Sequence, residues 1–178
     1  MNPTIPDWLE PFVLFLKNHT LLVPFTIWLG AFIESFAFVG ILTPGTLILP
    51  ALGFVAGTLN QPMIVVFFAC YLGAVAGDTS SYFLGRYCKD PILNLPQVKP
   101  YHPLILQAEK HFQRFGPLSL VIGRFLGPLR PILPFFAGSL KMSFRFFLGL
   151  NLVTGILWAI LYCMLGYYAG IATLEVIQ

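Results

Sequence analysis

Charged residues are scarce in this sequence. They make up 10% of its 178 residues, whereas soluble domains carry roughly 25%. Hydrophobic residues account for 57% of the chain and aromatic residues for 16%, and the mean hydropathy is +0.82. This balance excludes an ordinary soluble domain and predicts a protein that resides in a bilayer. The net charge of +3 is modest and gives no indication of a nucleic-acid partner.

Cysteine and histidine are also scarce, and no enzyme motif is present. The three cysteines lack C-x-x-C spacing, and the three histidines have no His, Cys or acidic residue at a ligand spacing. The sequence contains no G-x-S-x-G, H-E-x-x-H or P-loop. We therefore expect no metal, no cofactor and no catalytic residue, and interpret the protein as a non-enzyme.

The N-terminus shows no features of a cleavable signal peptide. Its first residues, MNPTIPDWLEPF, contain two acidic residues and no early positive cluster. We expect residues 1–19 to form an interfacial segment, and residues 20–175 to form the membrane domain.

Long apolar stretches follow one another through the membrane domain. Residues 20–42, 62–87 and 144–170 are each long enough to cross a hydrocarbon core of about 30 Å. Residues 43–57 are too short and too interrupted by proline to cross as one helix. Residues 88–115 are polar, and we interpret them as a cytoplasmic loop with a short surface helix near its end. The pattern predicts an all-α, multi-pass membrane protein.

The segment GRFLGPLRPILPFFAG, residues 123–138, places two arginines and three prolines in an apolar stretch. A charge at the bilayer centre costs about 2.5–3.5 kcal/mol on insertion scales. Basic residues also cluster on both sides of the segment, and such clusters favour the cytoplasm. We therefore predict that residues 117–140 enter from the cytoplasm, turn at the prolines and return as a re-entrant hairpin.

A similar proline-interrupted apolar segment occurs earlier in the chain. PGTLILP (44–50) aligns with PLRPILP (128–134), with identity at four of seven positions, and YFLGRY (82–87) aligns with CMLGYY (163–168). This predicts an inverted repeat of two re-entrant hairpins, each followed by a transmembrane helix, with repeat 1 at about 20–87 and repeat 2 at about 116–170. The predicted hairpin turns contain Pro44, Gly45, Pro50, Gly127, Pro128, Pro131 and Pro134.

We expect the functional site to lie where prolines interrupt the apolar segments. Non-helical backbone at membrane depth must be buried in protein or line a wet cavity, which places Arg124 and Arg130 inside the protein. A guanidinium presents a planar fork suited to phosphate or carboxylate, so the two arginines are candidates for an anion clamp. Glu34 and Asp78 are candidates for proton coupling or for ion pairs with the arginines. A purely structural role for these pairs remains open, and we expect Asn151 and Trp158 to serve as packing or interface groups.

Three segments resemble the DedA family of bacterial inner-membrane proteins, which share a domain with eukaryotic lipid scramblases linked to autophagy. They are ESFAFVGILTPGTLILPALGFVAG with Glu34, GDTSSYFLGR, and GRFLGPLRPILPFFAG followed by MSFRFFLGLNLVTGILW. The resemblance implies a bacterial inner-membrane location, a role in envelope maintenance, and for several members translocation of polyprenyl phosphates or phospholipids that depends on the proton motive force. It implies essential roles for Glu34, Arg124 and Arg130. Some members carry a second acidic residue where this chain has Thr46, and many have a further C-terminal helix, which oligomerisation would replace.

Our leading hypothesis is a lipid translocase that recycles a polyprenyl phosphate such as undecaprenyl phosphate. Arg124 and Arg130 would hold the phosphate, and protonation of Glu34 would be linked to its release. The partners are then a membrane lipid, either this carrier or an anionic phospholipid, and protons. One alternative is a proton-coupled transporter of small cations or drugs that uses Glu34 and Asp78. Another is a non-transporting envelope-integrity protein in which the arginines are structural.

Overall fold

The secondary structure is helical throughout the residues that the computed structural model describes, which are 10–42, 45–94, 96, 98–124 and 130–177. The α-helices are α1 (Glu10–Asn18), α2 (Leu22–Ser35), α3 (Val39–Leu42), α4 (Gly45–Thr58), α5 (Met63–Leu93), α6 (His102–Phe115), α7 (Leu118–Gly123), α8 (Leu133–Ser139), α9 (Phe144–Ala159) and α10 (Leu165–Ile177). A 3₁₀ turn (Lys99–Tyr101) precedes α6, and a π-helical turn (Ile160–Met164) joins α9 to α10. The all-α prediction is confirmed.

Two helical stretches in the described part of the chain are long and apolar enough to cross a membrane. Met63–Lys89 has 27 residues, and Phe144–Thr173, which joins α9 to α10, has 30. At about 1.5 Å per residue both exceed the roughly 30 Å of a hydrocarbon core. They coincide with the predicted stretches 62–87 and 144–170.

The first apolar stretch does not form one crossing helix, which corrects the expectation for residues 20–42. α2 ends at Ser35 after 14 residues, a length of about 21 Å. The chain breaks there because the Ala37 N–H donates to the Ser81 hydroxyl at 2.7 Å and not to a helical carbonyl. Phe38 then takes a left-handed conformation, with φ of 67°, which is rare for an aromatic residue. The backbone break is therefore held by a contact to α5.

α2 and α4 form the two arms of a hairpin. A β-carbon on Gly73 of α5 would meet the Trp28 carbonyl oxygen at 2.3 Å, and one on Gly77 would meet that of Phe32 at 2.5 Å, so α2 and α5 run side by side in the same direction. Four residues separate the end of α4 from the start of α5, so α4 ends near the end of the bundle where α5 begins. α4 therefore runs opposite to α2.

The short helices α4 and α8 each pack closely on a long apolar helix. A β-carbon on Gly53 of α4 would lie 2.3 Å from the Cys163 carbonyl oxygen, at the junction between α9 and α10. A β-carbon on Gly138 of α8 would lie 1.9 Å from the Tyr82 carbonyl oxygen in α5. Only glycine permits either approach. Tyr82 and Cys163 are the first residues of the two aligned segments YFLGRY and CMLGYY, so the two contacts use matching positions.

The predicted turn residues divide into three groups. Pro50 lies inside α4 and Pro134 is the second residue of α8, so neither is at a turn. Pro134 is tolerated because a helix has no partner for the N–H groups of its first turn. Gly45 begins α4 and Pro131 lies in the turn before α8, whereas Pro44, Gly127 and Pro128 fall outside the described residues.

α6 is the surface helix predicted in the polar loop. It is amphipathic, with Ile105, Ala108 and Phe112 buried against the rest of the protein. Lys89 and Glu109 form an ion pair at 3.5 Å beside it. This helix lies next to α7 and α8, where the two arginines are found.

Candidate functional site

Four buried charged residues meet where the short helices end. Arg124 follows α7 directly and Arg130 lies in the turn before α8. Glu34 is in the last turn of α2, and Asp78 is in the middle of α5. Each of the four is at most 8% exposed. The fold brings together all four residues that the sequence singled out, two from each predicted repeat.

Arg130 is held on several sides. Its Nη1 donates to Glu34 Oε1 at 2.7 Å, and its Nη2 donates to the Ser35 hydroxyl at 2.7 Å. The Trp158 ring covers the face of the guanidinium, with Cζ 3.7 Å from the ring centroid. A cation against a buried aromatic face is stabilised by about 2 kcal/mol or more. Arg130 therefore ties the end of α2 to α9.

Arg124 has a different set of partners. Its Nη1 donates to Asn151 Oδ1 at 2.8 Å and to the Thr154 hydroxyl at 3.3 Å. The same nitrogen forms an ion pair with Asp78 Oδ2 at 2.9 Å. Neutral oxygens of α9 thus orient the guanidinium, and Asp78 balances its charge.

Several buried polar atoms of these four residues have no hydrogen-bond partner within the described residues. They are Glu34 Oε2, Asp78 Oδ2, Arg124 Nε and Nη2, and Arg130 Nε. Buried polar groups in native proteins are nearly always hydrogen-bonded, to protein, water or ligand. This concentration of unmet donors and acceptors makes the place a candidate site for a polar ligand or for water.

The space between these groups is small. The cavity lined by Asp78, Arg124, Arg130 and Asn151 has a volume of about 10 Å³, which is room for a single water molecule. A phosphate group does not fit without movement. The conformation is therefore closed to such a group, and the carboxylates of Glu34 and Asp78 face the two guanidinium groups.

Sequence reasoning missed part of the site. Ser35 and Thr154 were not singled out, and Asn151 and Trp158 were expected to be packing or interface groups, yet all four contact an arginine. Gly155 also lies close to the site, because a β-carbon there would be 3.5 Å from Arg124 Nη2. Their spacing could have indicated a shared role, because residues 151, 155 and 158 follow one another at i, i+4 and i+7 and therefore lie on one face of a helix.

Comparison with known proteins gives the family. Residues 43–168, which include Asp78 and both arginines, match the VTT domain. The chain belongs to the VTT-domain (DedA) family. This is a family of membrane proteins and not a known enzyme family.

Similar VTT-domain proteins include several from bacteria. An uncharacterized membrane protein of Buchnera aphidicola from Acyrthosiphon pisum is 30% identical over 93% of this chain and 64% of its own length. The inner membrane protein YabI of Escherichia coli K12 is 30% identical over 89% of this chain and 62% of its own length. Protein DedA of Escherichia coli K12 is 28% identical over 96% of this chain and 82% of its own length. The chain thus spans less than two thirds of the first two relatives. No solved structure matches it.

Proposed function

We propose that this protein is a multi-pass inner-membrane translocase for an anionic lipid carrier, a polyprenyl phosphate such as undecaprenyl phosphate. The observation that carries the proposal is the pair of buried arginines, Arg124 and Arg130, at the break between α7 and α8. Ionisable residues at membrane depth are costly and are usually functional. Two guanidinium groups with free N–H donors around one cavity suit a phosphate.

The architecture of secondary transporters supports this proposal. We interpret α2 with α4, and α7 with α8, as re-entrant hairpins that enter from opposite faces of the membrane. α7 and α8 have six and seven residues, about 9 and 11 Å, which is too short to cross. Interrupted helices of two inverted repeats build the substrate site near the midplane in many transporters.

The close glycine contacts between arms and spans are also consistent with an inverted repeat. A β-carbon on Gly85 would lie 1.9 Å from the Phe135 carbonyl oxygen of α8. A β-carbon on Gly166 would lie 2.1 Å from the Pro50 carbonyl oxygen of α4. Gly85 and Gly166 occupy equivalent places in YFLGRY and CMLGYY. Each half thus packs its arm on the span of the other half in the same way.

The mechanism follows from competition between anions. In the closed site the carboxylates of Glu34 and Asp78 balance the arginines, and a phosphate must displace at least one of them. Protonation of Glu34 removes its negative charge and frees Arg130, so that head-group binding or release is linked to the proton gradient. The polyprenyl tail stays in the surrounding lipid, since the cavity has no room for it.

Reconstitution in liposomes tests this function. Labelled polyprenyl phosphate should move across the bilayer with the wild-type chain, faster with a pH gradient, and Arg124→Ala and Arg130→Ala should abolish the movement. Arg114→Ala, at an exposed arginine of α6, is the matched control and should behave as wild type. Normal transport by folded Arg124→Ala or Arg130→Ala protein would contradict the proposal. Loss confined to Glu34 and Asp78 variants, with transport of a small cation, would instead favour a proton-coupled cation or drug transporter.

A further inference from the structure

The two arginines, which both line the cavity, differ in which of their nitrogens have partners. Arg124 uses one nitrogen, Nη1, for its bonds to Asn151 and Thr154 and for its ion pair with Asp78. Its Nε and Nη2 are buried and have no partner among the described residues. These two nitrogens form one edge of the guanidinium and point their N–H groups in the same direction. Arg124 thus offers a complete bidentate fork.

Arg130 has fewer nitrogens without a partner than Arg124 has. Nη1 donates one hydrogen bond to Glu34 and Nη2 donates one to Ser35, so both nitrogens of its terminal edge already have a partner, although each keeps a second N–H group. One face of the guanidinium is covered by Trp158. Nε alone lacks a partner in the described part of the chain. A bidentate oxyanion on the Nε edge of Arg130 would have to share Nη2 with Ser35, whereas both nitrogens of that edge in Arg124 are without a partner in the described part of the chain.

We propose that the two arginines have separate tasks within the lipid site. Arg124 binds the head group directly, through its Nε and Nη2 edge. Arg130 is a positioning residue that holds the end of α2 against α9 through Glu34, Ser35 and Trp158. This division rests on the proposed function and refines it, because it assigns the phosphate to one arginine of the pair.

The geometry also defines the chemical class of the ligand. A side-on guanidinium fork pairs with two oxygens on one central atom, as in a phosphate monoester. Asn151 holds Nη1 at 2.8 Å and so fixes the guanidinium, and at Gly155 no β-carbon lies against Nη2. Both a lipid phosphate and free inorganic phosphate have this chemistry, so the experiment must separate them.

Matched lysine substitutions test the division. The full-length protein in dodecyl maltoside is titrated with dodecyl phosphate and, in parallel, with inorganic phosphate, while its unfolding midpoint is measured without ligand. Lysine keeps the charge but loses the fork, so Arg124→Lys should weaken dodecyl phosphate binding about 10- to 100-fold. Arg130→Lys should weaken binding less and lower the unfolding midpoint more. An equal or larger affinity loss for Arg130→Lys would overturn the assignment.

A second pair covers the case in which a lysine variant does not fold. Asn151→Ala and Ser35→Ala each remove one neutral partner of an arginine, and Asn151→Ala should cause the larger loss of affinity. The reverse order would overturn the assignment. Inorganic phosphate binding as tightly as dodecyl phosphate, with the same Arg124 dependence, supports the fork but overturns a lipid carrier as substrate. Failure of the wild-type chain to bind either phosphate probe overturns both proposals.

Discussion

The guanidinium of Arg130 lies flat against the indole ring of Trp158, with 3.7 Å between Cζ and the ring centroid. Trp158 is 1% exposed, so the contact is shielded from both water and lipid. At the terminal edge of the same guanidinium group, Glu34 and Ser35 accept hydrogen bonds. Trp158 therefore remains as a partner for the cation whenever the Glu34 carboxylate is neutralised.

This contact predicts that stability depends on the electron density of the indole. Site-specific replacement of Trp158 by increasingly fluorinated tryptophans keeps its shape but weakens the cation–π attraction, which is about 2 kcal/mol when desolvated. We expect the unfolding midpoint in detergent to fall steadily with fluorination. Trp28 is the control, since it stacks on Phe25 and Phe32 and faces no cation within the described residues. Absence of a trend at Trp158 would mean that the ring acts by packing alone.

Removing one member of a buried ion pair should lower the free energy of unfolding far more than removing one member of a partly exposed pair. Glu34→Gln leaves Arg130 buried without its counter-charge, and such a loss costs about 3–5 kcal/mol. Glu109→Gln breaks the pair with Lys89, whose two side chains are 27% and 32% exposed, and pairs in contact with water contribute about 0–1 kcal/mol. Denaturant unfolding of both variants in detergent measures the difference. Similar small losses in both would show that Glu34 does not stabilise the fold by pairing.

Close packing at glycine predicts opposite effects for two alanine substitutions. In Gly138→Ala the new methyl would lie 1.9 Å from the Tyr82 carbonyl oxygen, so α8 must move away from α5. Overpacking of this kind costs about 1–3 kcal/mol. Gly149 of α9 has no atom within 4 Å of such a methyl, and Gly149→Ala should raise stability by up to about 1 kcal/mol through helix propensity. Thermal unfolding of the two variants checks both signs, and a harmless Gly138→Ala would contradict the contact.

The energetic cost of charge in lipid made part of the site predictable. Arg124 and Arg130 could not face lipid, and Glu34 and Asp78 were the acidic residues within the apolar stretches, so their meeting followed from charge balance. The pairing of Arg124 with Asp78 and of Arg130 with Glu34 did not follow. Which arginine pairs with which carboxylate depends on how the turn before α8 packs against α2 and α5. The local sequence does not indicate this packing.

Features that depend on contacts between residues far apart in the chain could not be predicted from the sequence. The end of α2 is fixed by a hydrogen bond from Ala37 to Ser81, which is 44 residues away, so the apolar run to residue 42 looked continuous. Trp158 looked like an interface residue because an aromatic ring in an apolar helix carries no sign of the cation it will face. The two long apolar helices and the amphipathic α6 could be predicted because each follows from the hydrophobic pattern of consecutive residues.

The re-entrant interpretation predicts the side of the membrane on which three positions lie. If residues 117–140 enter and leave by the same face, Gln107→Cys in α6 and Ser143→Cys before α9 should both react with an impermeant maleimide from the cytoplasm. Gln61→Cys, between α4 and α5, should react from the other side. Cys88→Ser removes the half-buried native thiol and leaves two buried ones. Labelling in intact cells and in inverted vesicles measures the sidedness. Reaction of Gln107→Cys and Ser143→Cys from opposite faces would mean that the segment crosses the membrane, because no single-face hairpin places its two ends on different sides.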